Sequence, residues 1–347
     1  MLNNTMIKHT LLGLWLVLLY LSCGSSTPDS VGPVTPIPPA YTSWVVGDTA
    51  DAKVQPQGGV VLAGGSTDVD AAMRWFLRRS GGGDVLILRA SGSNGYNNYL
   101  YKELGEAVNS VETILLNKRD MAQNTDIIRK IRNAEAIFFA GGDQADYVNF
   151  WQGTPVADAL NERIRKGAVL GGTSAGCAIL SQLYFAAREG SVTSDEALAN
   201  PYDKRVDIGR NDFLVHPLLT NTITDQHYAE RDRQGRHLAF LARAVADWNL
   251  QPRGIGVDEK TAVCAALDGA VTVFGQGNAY FLQAMGTKPE RCQTNQSLTW
   301  NGDGKAVRVT TLAGSVADRV GFNLLTFQPT SDDAKTTYWY AENGVRK

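Results

Sequence analysis

The sequence predicts a doubly wound α/β core built on a mainly parallel sheet, followed by a β-rich C-terminal elaboration. Two observations carry this reading. From Gly58 onward, short apolar runs alternate with amphipathic stretches, the pattern of repeated βα units. Five of the runs, Val60–Ala63, Val85–Leu88, Val111–Leu116, Ala136–Phe139 and Ala168–Leu170, are rich in β-branched or aromatic residues and bounded by Gly or Asp, as suits strands buried on both faces. Between them Val69–Leu77, Leu100–Val108, Ile127–Ile131 and Val156–Ile164 supply crossover helices, so a flavodoxin-like layout is expected. Beyond about residue 205 the pattern is mixed. A helix is expected over Ala229–Trp248, then antiparallel strands at Val263–Leu267, Val271–Phe274 and Ala279–Leu282, with Gly275–Asn278 as a hairpin connection. Val307–Leu312 and Thr337–Tyr340 read as edge strands, and there is no internal repeat.

The chain has 347 residues, enough to bury one large core or two modest ones. Its 33 basic and 35 acidic residues nearly cancel, leaving no electrostatic footprint for nucleic acid. At the N-terminus, Lys8 precedes an apolar run from Leu11 to Leu21, which is short for a membrane span and fits the hydrophobic region of an export signal. The run ends at Cys23 and changes to Gly24-Ser25-Ser26-Thr27-Pro28, which resembles a bacterial lipoprotein processing site. Cys23 is therefore expected to be lipidated, anchoring an exported protein to a membrane, on its periplasmic or cell-surface side. The expected organisation is a signal peptide at 1–22, a tether at 23–41, an α/β domain at 42–285 and a β-rich extension at 286–347 packed on the same domain. The remaining Cys177, Cys264 and Cys292 permit at most one disulfide, and no metal-binding pattern appears.

Chemistry concentrates where the fifth run ends, at Gly171-Gly172-Thr173-Ser174-Ala175-Gly176-Cys177. A serine on a sharp strand-to-helix turn needs small residues two positions to either side, and Gly172 and Gly176 provide them. Ser174 is thus a candidate nucleophile, and the amide of Ala175, at the start of the following helix, a candidate oxyanion donor. Cys177 reads as a small packed residue inside that helix. A serine hydroxyl needs a base, for which histidine suits neutral pH. Of the histidines beyond the signal, His216 lies in an apolar loop and His237 in an expected surface helix. His227, in Asp225-Gln226-His227-Tyr228, sits where a strand gives way to a helix, a position that presents a side chain at a cleft. On a continuous helix Arg231 falls near the face of His227, while Arg233 and Arg236 share a more distant one.

Taken in order, Ala140-Gly141-Gly142-Asp143-Gln144, Gly172-Thr173-Ser174-Ala175-Gly176 and Asp225-Gln226-His227-Tyr228 with arginines at 231, 233 and 236 resemble the cyanophycinase family, and more loosely serine dipeptidase E. The resemblance covers roughly residues 55 to 285. It implies a serine exopeptidase on a class I glutamine amidotransferase-like sheet, with a Ser-His-acid triad and no metal or organic cofactor. Carried over by motif, Ser174 is nucleophile and His227 base. Gln144, Asp225, Gln226, Arg231, Arg233 and Arg236 line the substrate pocket, and a backbone amide at Gly142 or Asp143 gives the second oxyanion donor. The family places its acid shortly before an Asn-Pro or Ser-Pro-Arg turn, which among the carboxylates between Ser174 and His227 selects Glu196, ahead of Asn200-Pro201.

The implied substrate is cyanophycin, a polyaspartate whose β-carboxyls carry arginine, cut to β-Asp-Arg dipeptides. Arginines suit its carboxylates as bidentate partners. An Asp-X or isoaspartyl dipeptidase is the alternative, and a catalytically silent peptide-binding lipoprotein a third reading, against which an intact Ser174 and His227 argue. A homodimer is among the expected assemblies.

Overall fold

A computed structural model of the chain describes residues 40–347. The signal, the lipidation site at Cys23 and nearly all of the tether lie outside the described residues. The described residues form one compact unit.

Two sheets organise it. The first contains β1 (Thr42–Gly47), β2 (Gly59–Ala63), β3 (Asp84–Arg89), β4 (Ser110–Leu115), β5 (Ala136–Phe139), β6 (Val169–Thr173), β11 (Thr261–Ala265), β12 (Ala270–Gly275), β15 (Val320–Asn323) and β16 (Gln328–Pro329), in the order β1-β4-β3-β5-β6-β2-β11-β12-β15-β16. Its centre, β4-β3-β5-β6-β2, is parallel throughout and consists of the five apolar runs read from sequence. The strands outside that centre pair antiparallel. The second sheet contains β7 (Leu183–Phe185), β8 (Ile208–Arg210), β9 (Thr222–Gln226), β10 (Arg253–Val257), β13 (Asn278–Ala284), β14 (Val307–Ala313) and β17 (Lys335–Trp339), in the order β17-β14-β13-β10-β9-β7-β8. A small hairpin, β18 (Ala341–Glu342) with β19 (Val345–Arg346), closes the chain.

The helices are α1 (Asp70–Arg79), α2 (Gly95–Asn98), α3 (Thr125–Asn133), α4 (Gln144–Trp151), α5 (Pro155–Arg165), α6 (Ala175–Ala178), α7 (Ser194–Ala199) and α8 (Gln234–Trp248). None of the described helices is long and apolar enough to cross a membrane. The period-2 alternation of strands divides the interior into layers. Val61 and Ala63 of β2 face a cluster with Ala72, Phe76 and Leu77 of α1, whereas Val60 and Leu62 face the central cluster. That central cluster also takes Ile127 of α3, Leu160 of α5, and Ile255, Val257 and Phe281 from the second sheet. The other face of the second sheet, through Leu282 and Ala284, packs on Leu238, Leu241 and Val245 of α8.

The structure moves several expected elements. Helix α8 begins at Gln234 rather than near Ala229, because Asp232 takes a left-handed φ of 46° that no α-helix accommodates. Its residue His237 is wholly buried, not on a surface helix. Strand β14 lies between β13 and β17, so of the two expected edge strands only β17 is at an edge. The extension enlarges both sheets, with β14 and β17 on one and β15 and β16 on the other.

Candidate active site

Strand β6 delivers Ser174 to the carboxyl end of the first sheet, where open α/β folds hold their ligands. Its backbone, φ 51° and ψ −119°, is the strained turn expected of a nucleophile elbow. A Cβ on Gly172 would run into the backbone of Gly176, and one on Gly176 would lie 2.6 Å from the carbonyl carbon of Phe139. Both glycines are therefore obligatory. Cys177, two residues into α6, is completely buried, and burial pushes its thiol up to about 12, so it does not compete as a nucleophile.

His227 follows β9 of the second sheet, itself at a left-handed φ of 51°. Its Nε2 lies 2.7 Å from Ser174 Oγ, and its Nδ1 lies 2.7 Å from Oε1 of Glu259. With Nδ1–H donating to the carboxylate, Nε2 is free to accept the serine proton. The other two described histidines are structural. His216 accepts from the Leu218 amide, His237 sits between Tyr228 Oη and the Ile223 carbonyl, and burial lowers each to about 4.

The acid on the imidazole is thus Glu259, and this corrects the expectation of Glu196. Glu196 forms a capping box with Thr193 at the start of α7 and an ion pair with Arg205 at 2.9 Å. Those bonds hold its carboxyl below the usual range, the Thr193 amide foremost. Glu259 lies in the Asp258–Lys260 turn joining β10 to β11, after His227 in the chain. Its hydrogen bond to His227 is the chief cause of a lowered carboxyl pKa. The sequence signal for it is a strand, Arg253–Val257, running into Asp258-Glu259-Lys260 and out into another strand. The turn is held from several sides: Asp258 accepts the amides of Ala229 and Asn278 at 2.9 Å each, and the Glu230 carboxylate accepts the Glu259 amide. Above it, His227 N–H donates to the Gly64 carbonyl and Lys260 N–H to that of Gly65. A Cβ on Gly65 would lie 2.6 Å from His227 Nε2, so only glycine lets the loop cover the ring.

A cavity of about 200 Å³ opens over the pair, lined by Gly142, Asp143, Gln144, Ser174, Ala187, Gly190, Ser191, Gln226, His227, Arg231 and Arg233. The motif-derived Gly142, Asp143, Gln144, Gln226, Arg231 and Arg233 all reach it. Ala187, Gly190 and Ser191, from the loop after β7, carry no sequence signal. A Cβ added to Gly141 would lie 3.6 Å from that of Ser174, in ordinary van der Waals contact, which sets the Gly142 turn beside the nucleophile. Arg231 and Arg233 share the cavity because residues 229–232 form a turn, which voids the helical-face argument. Ala175 is buried at the start of α6.

Asp225 and Arg236 do not line the cavity, a second correction. Both are about 1% exposed, and Arg236 grips Asp225 through Nε–Oδ2 at 2.8 Å and Nη2–Oδ1 at 2.6 Å. A buried carboxylate needs such a partner, and a bidentate guanidinium is the best available.

A serine nucleophile on a strained elbow, hydrogen-bonded to a histidine that is in turn oriented by a carboxylate at the carboxyl end of a parallel sheet, defines the serine-nucleophile class of α/β proteins. Within that class the chain belongs to peptidase family S51, whose model matches residues 60–272. It is similar to the cyanophycinase of Trichormus variabilis, 27% identical over 180 residues, which are 52% of this chain and 54% of that one. It is likewise similar to the cyanophycinase of Synechococcus elongatus, 28% identical over 211 residues, covering 58% and 60%. The chain thus spans less than two thirds of the length of these relatives. A crystal structure of a peptidase from an acI-B1 actinobacterium aligns with 17% identity over 65% of this chain and 91% of that one, at a TM-score of 0.47.

Proposed function

We propose that the chain is a serine exopeptidase acting on aspartate-rich peptide, with cyanophycin as its substrate class. The observation that carries this is the continuous hydrogen-bonded series Ser174–His227–Glu259 opening on a cavity walled by Arg231 and Arg233. His227 Nε2 takes the proton of Ser174 as Oγ adds to the amide carbonyl. The oxyanion is received by the amide of Ala175 and that of Gly142 or Asp143. The C–N bond then breaks as the imidazolium returns its proton to the leaving amine, giving an acyl-serine. Water, deprotonated by the same imidazole, attacks the ester, and the proton goes back to Oγ as the acid product leaves. Glu259 keeps the imidazole in the required tautomer and stabilises its charged form. Arg231 and Arg233 meet the substrate carboxylates, while Gln144 and Gln226 offer neutral hydrogen bonds.

The modest size of the cavity favours recognition of about one residue at a time, which also supports an Asp-X or isoaspartyl dipeptidase. Incubation with cyanophycin and with Asp and isoaspartyl dipeptides, beside Ser174→Ala, separates these readings. Release of β-Asp-Arg from the polymer is expected, and hydrolysis of dipeptides alone selects the second reading. Undiminished turnover in Ser174→Ala would defeat both. We further propose export and anchoring through a lipidated Cys23, for which Cys23→Ser should release the protein from the membrane fraction.

A further inference from the structure

We propose that Arg236 is a positioning residue that occupies Asp225, so that the neighbouring Arg233 keeps its guanidinium available to a substrate carboxylate. The inference rests on the reading of Arg233 as a carboxylate receptor.

Asp225 is the buried anion of this region, and two guanidinium groups lie within reach of it. Arg236 takes both carboxylate oxygens in the fork geometry described above. Arg233 approaches only Oδ1, at 3.5 Å, beyond hydrogen-bond length. Among the described residues this is the one ion-pair contact of Arg233, which otherwise faces the cavity beside Ser174. Arg236 cannot itself reach a ligand. Its side chain is 2% exposed, lies over the rings of Phe185 and Phe240 with Cζ 4.8 and 5.7 Å from their centroids, and donates Nη1 to Ser191 Oγ and the Val192 carbonyl. The two arginines therefore divide one task. A buried carboxylate must be neutralised by whichever cation is near, and without Arg236 that cation is Arg233, withdrawn from the pocket.

The arrangement has a signature that ordinary structural support lacks. In Arg236→Met the bonds to Ser191 and Val192 are lost and Asp225 captures Arg233. In Arg236→Met/Asp225→Asn the same bonds are lost but the capturing charge is gone. The readout is the concentration of N-acetyl-L-aspartate that halves the rate at which a neutral fluorophosphonate labels Ser174, with N-acetyl-leucine amide as the uncharged control. This protection does not depend on peptide turnover, so it remains readable if the peptidase reading fails. In Arg236→Met the half-protecting concentration should rise about tenfold or more, the scale of one lost charge-assisted contact. It should return to within about threefold of the unmodified protein in the double variant. Should Arg236→Met not fold, Arg236→Lys gives a smaller rise, because an ammonium lacks the planar fork and leaves one oxygen of Asp225 to Arg233. Three results overturn the proposal: no protection of the unmodified protein by N-acetyl-aspartate, no rise in either single variant, or a folded double variant as poorly protected as Arg236→Met.

Discussion

Replacing Glu259 by Gln tests the assignment of the acid most directly. The substitution keeps the shape of the side chain but removes its charge and lets an NH2 group face His227 Nδ1, favouring the tautomer that cannot accept the serine proton. At 2.7 Å the existing bond is charge-assisted, a type that contributes about 1.5–3 kcal/mol. The Glu259 side chain is 27% exposed, so water screens part of the attraction to the imidazolium. Adding a penalty of roughly 1 kcal/mol for the wrong tautomer gives about 2.5–4 kcal/mol, or a fall in kcat of roughly 10²–10³-fold. The drop should appear in kcat and kcat/KM alike, because the interaction strengthens only as the imidazole becomes charged. Steady-state kinetics on an Asp-containing peptide and the fluorophosphonate labelling rate both read it. Glu196→Gln is the matched control: it weakens the α7 cap and the Arg205 pair, lowering the thermal midpoint slightly while kcat is retained. A Glu259→Gln enzyme within tenfold of the parent, or a Glu196→Gln enzyme that loses as much, would refute the assignment.

Gly65→Ala should cost about 100-fold in kcat, the usual effect of displacing a catalytic group by an ångström, because the new Cβ collides with the His227 ring; an enzyme as active as the parent would show that the loop yields instead. Glu135, buried at the entry to β5, has its carboxyl raised to about 7 by desolvation. The folded protein therefore binds more protons than the unfolded chain between pH 4.5 and about 7, and stability falls as pH rises through that window. Glu135→Gln should match the parent near pH 5 and gain relative to it by pH 8, and a thermal-midpoint difference that stays constant with pH would contradict this. Phe322→Ala should destabilise by about 3–5 kcal/mol in denaturant titration, since its ring stacks 4.0 Å from that of Phe281 in the other sheet. A loss under about 1 kcal/mol would mean that the contact between sheets lies elsewhere.

The parts of the molecule legible in the sequence are those fixed by local pattern. Five buried parallel strands announce themselves by composition, and the elbow at Ser174 by two glycines whose side chains the backbone forbids. Strand β10 escapes such a reading for an equally physical reason. Its Gly254 and Gly256 break the apolar run, because the rings of His237 and Tyr228 lie where Cβ atoms would stand, each at 2.5 Å. With that strand unread, the strand-turn-strand signal that marks Glu259 goes unread too, and the search for the acid falls between Ser174 and His227. Arg236 and Asp225 are misplaced by sequence because adjacency to a motif does not reveal which way a side chain points. Only the turn at residues 229–232, set by the left-handed Asp232, sends Arg233 to the cavity and leaves Arg236 inside.

Ser174 comes from one sheet, His227 from the other, and Glu259 from the three-residue strap that crosses between them. This geometry separates where the protein can vary from where it cannot. Residues well beyond the family match add β14 and β17 at one outer rim and β15 and β16 at the other, and none of these four strands pairs with β10 or β11, the two that the strap joins. New segments, fused domains or surface loops can accumulate at those rims as decoration. A single residue inserted at Asp258–Lys260 would instead shift the acid out of phase with the imidazole, so this short connection has no room for added length.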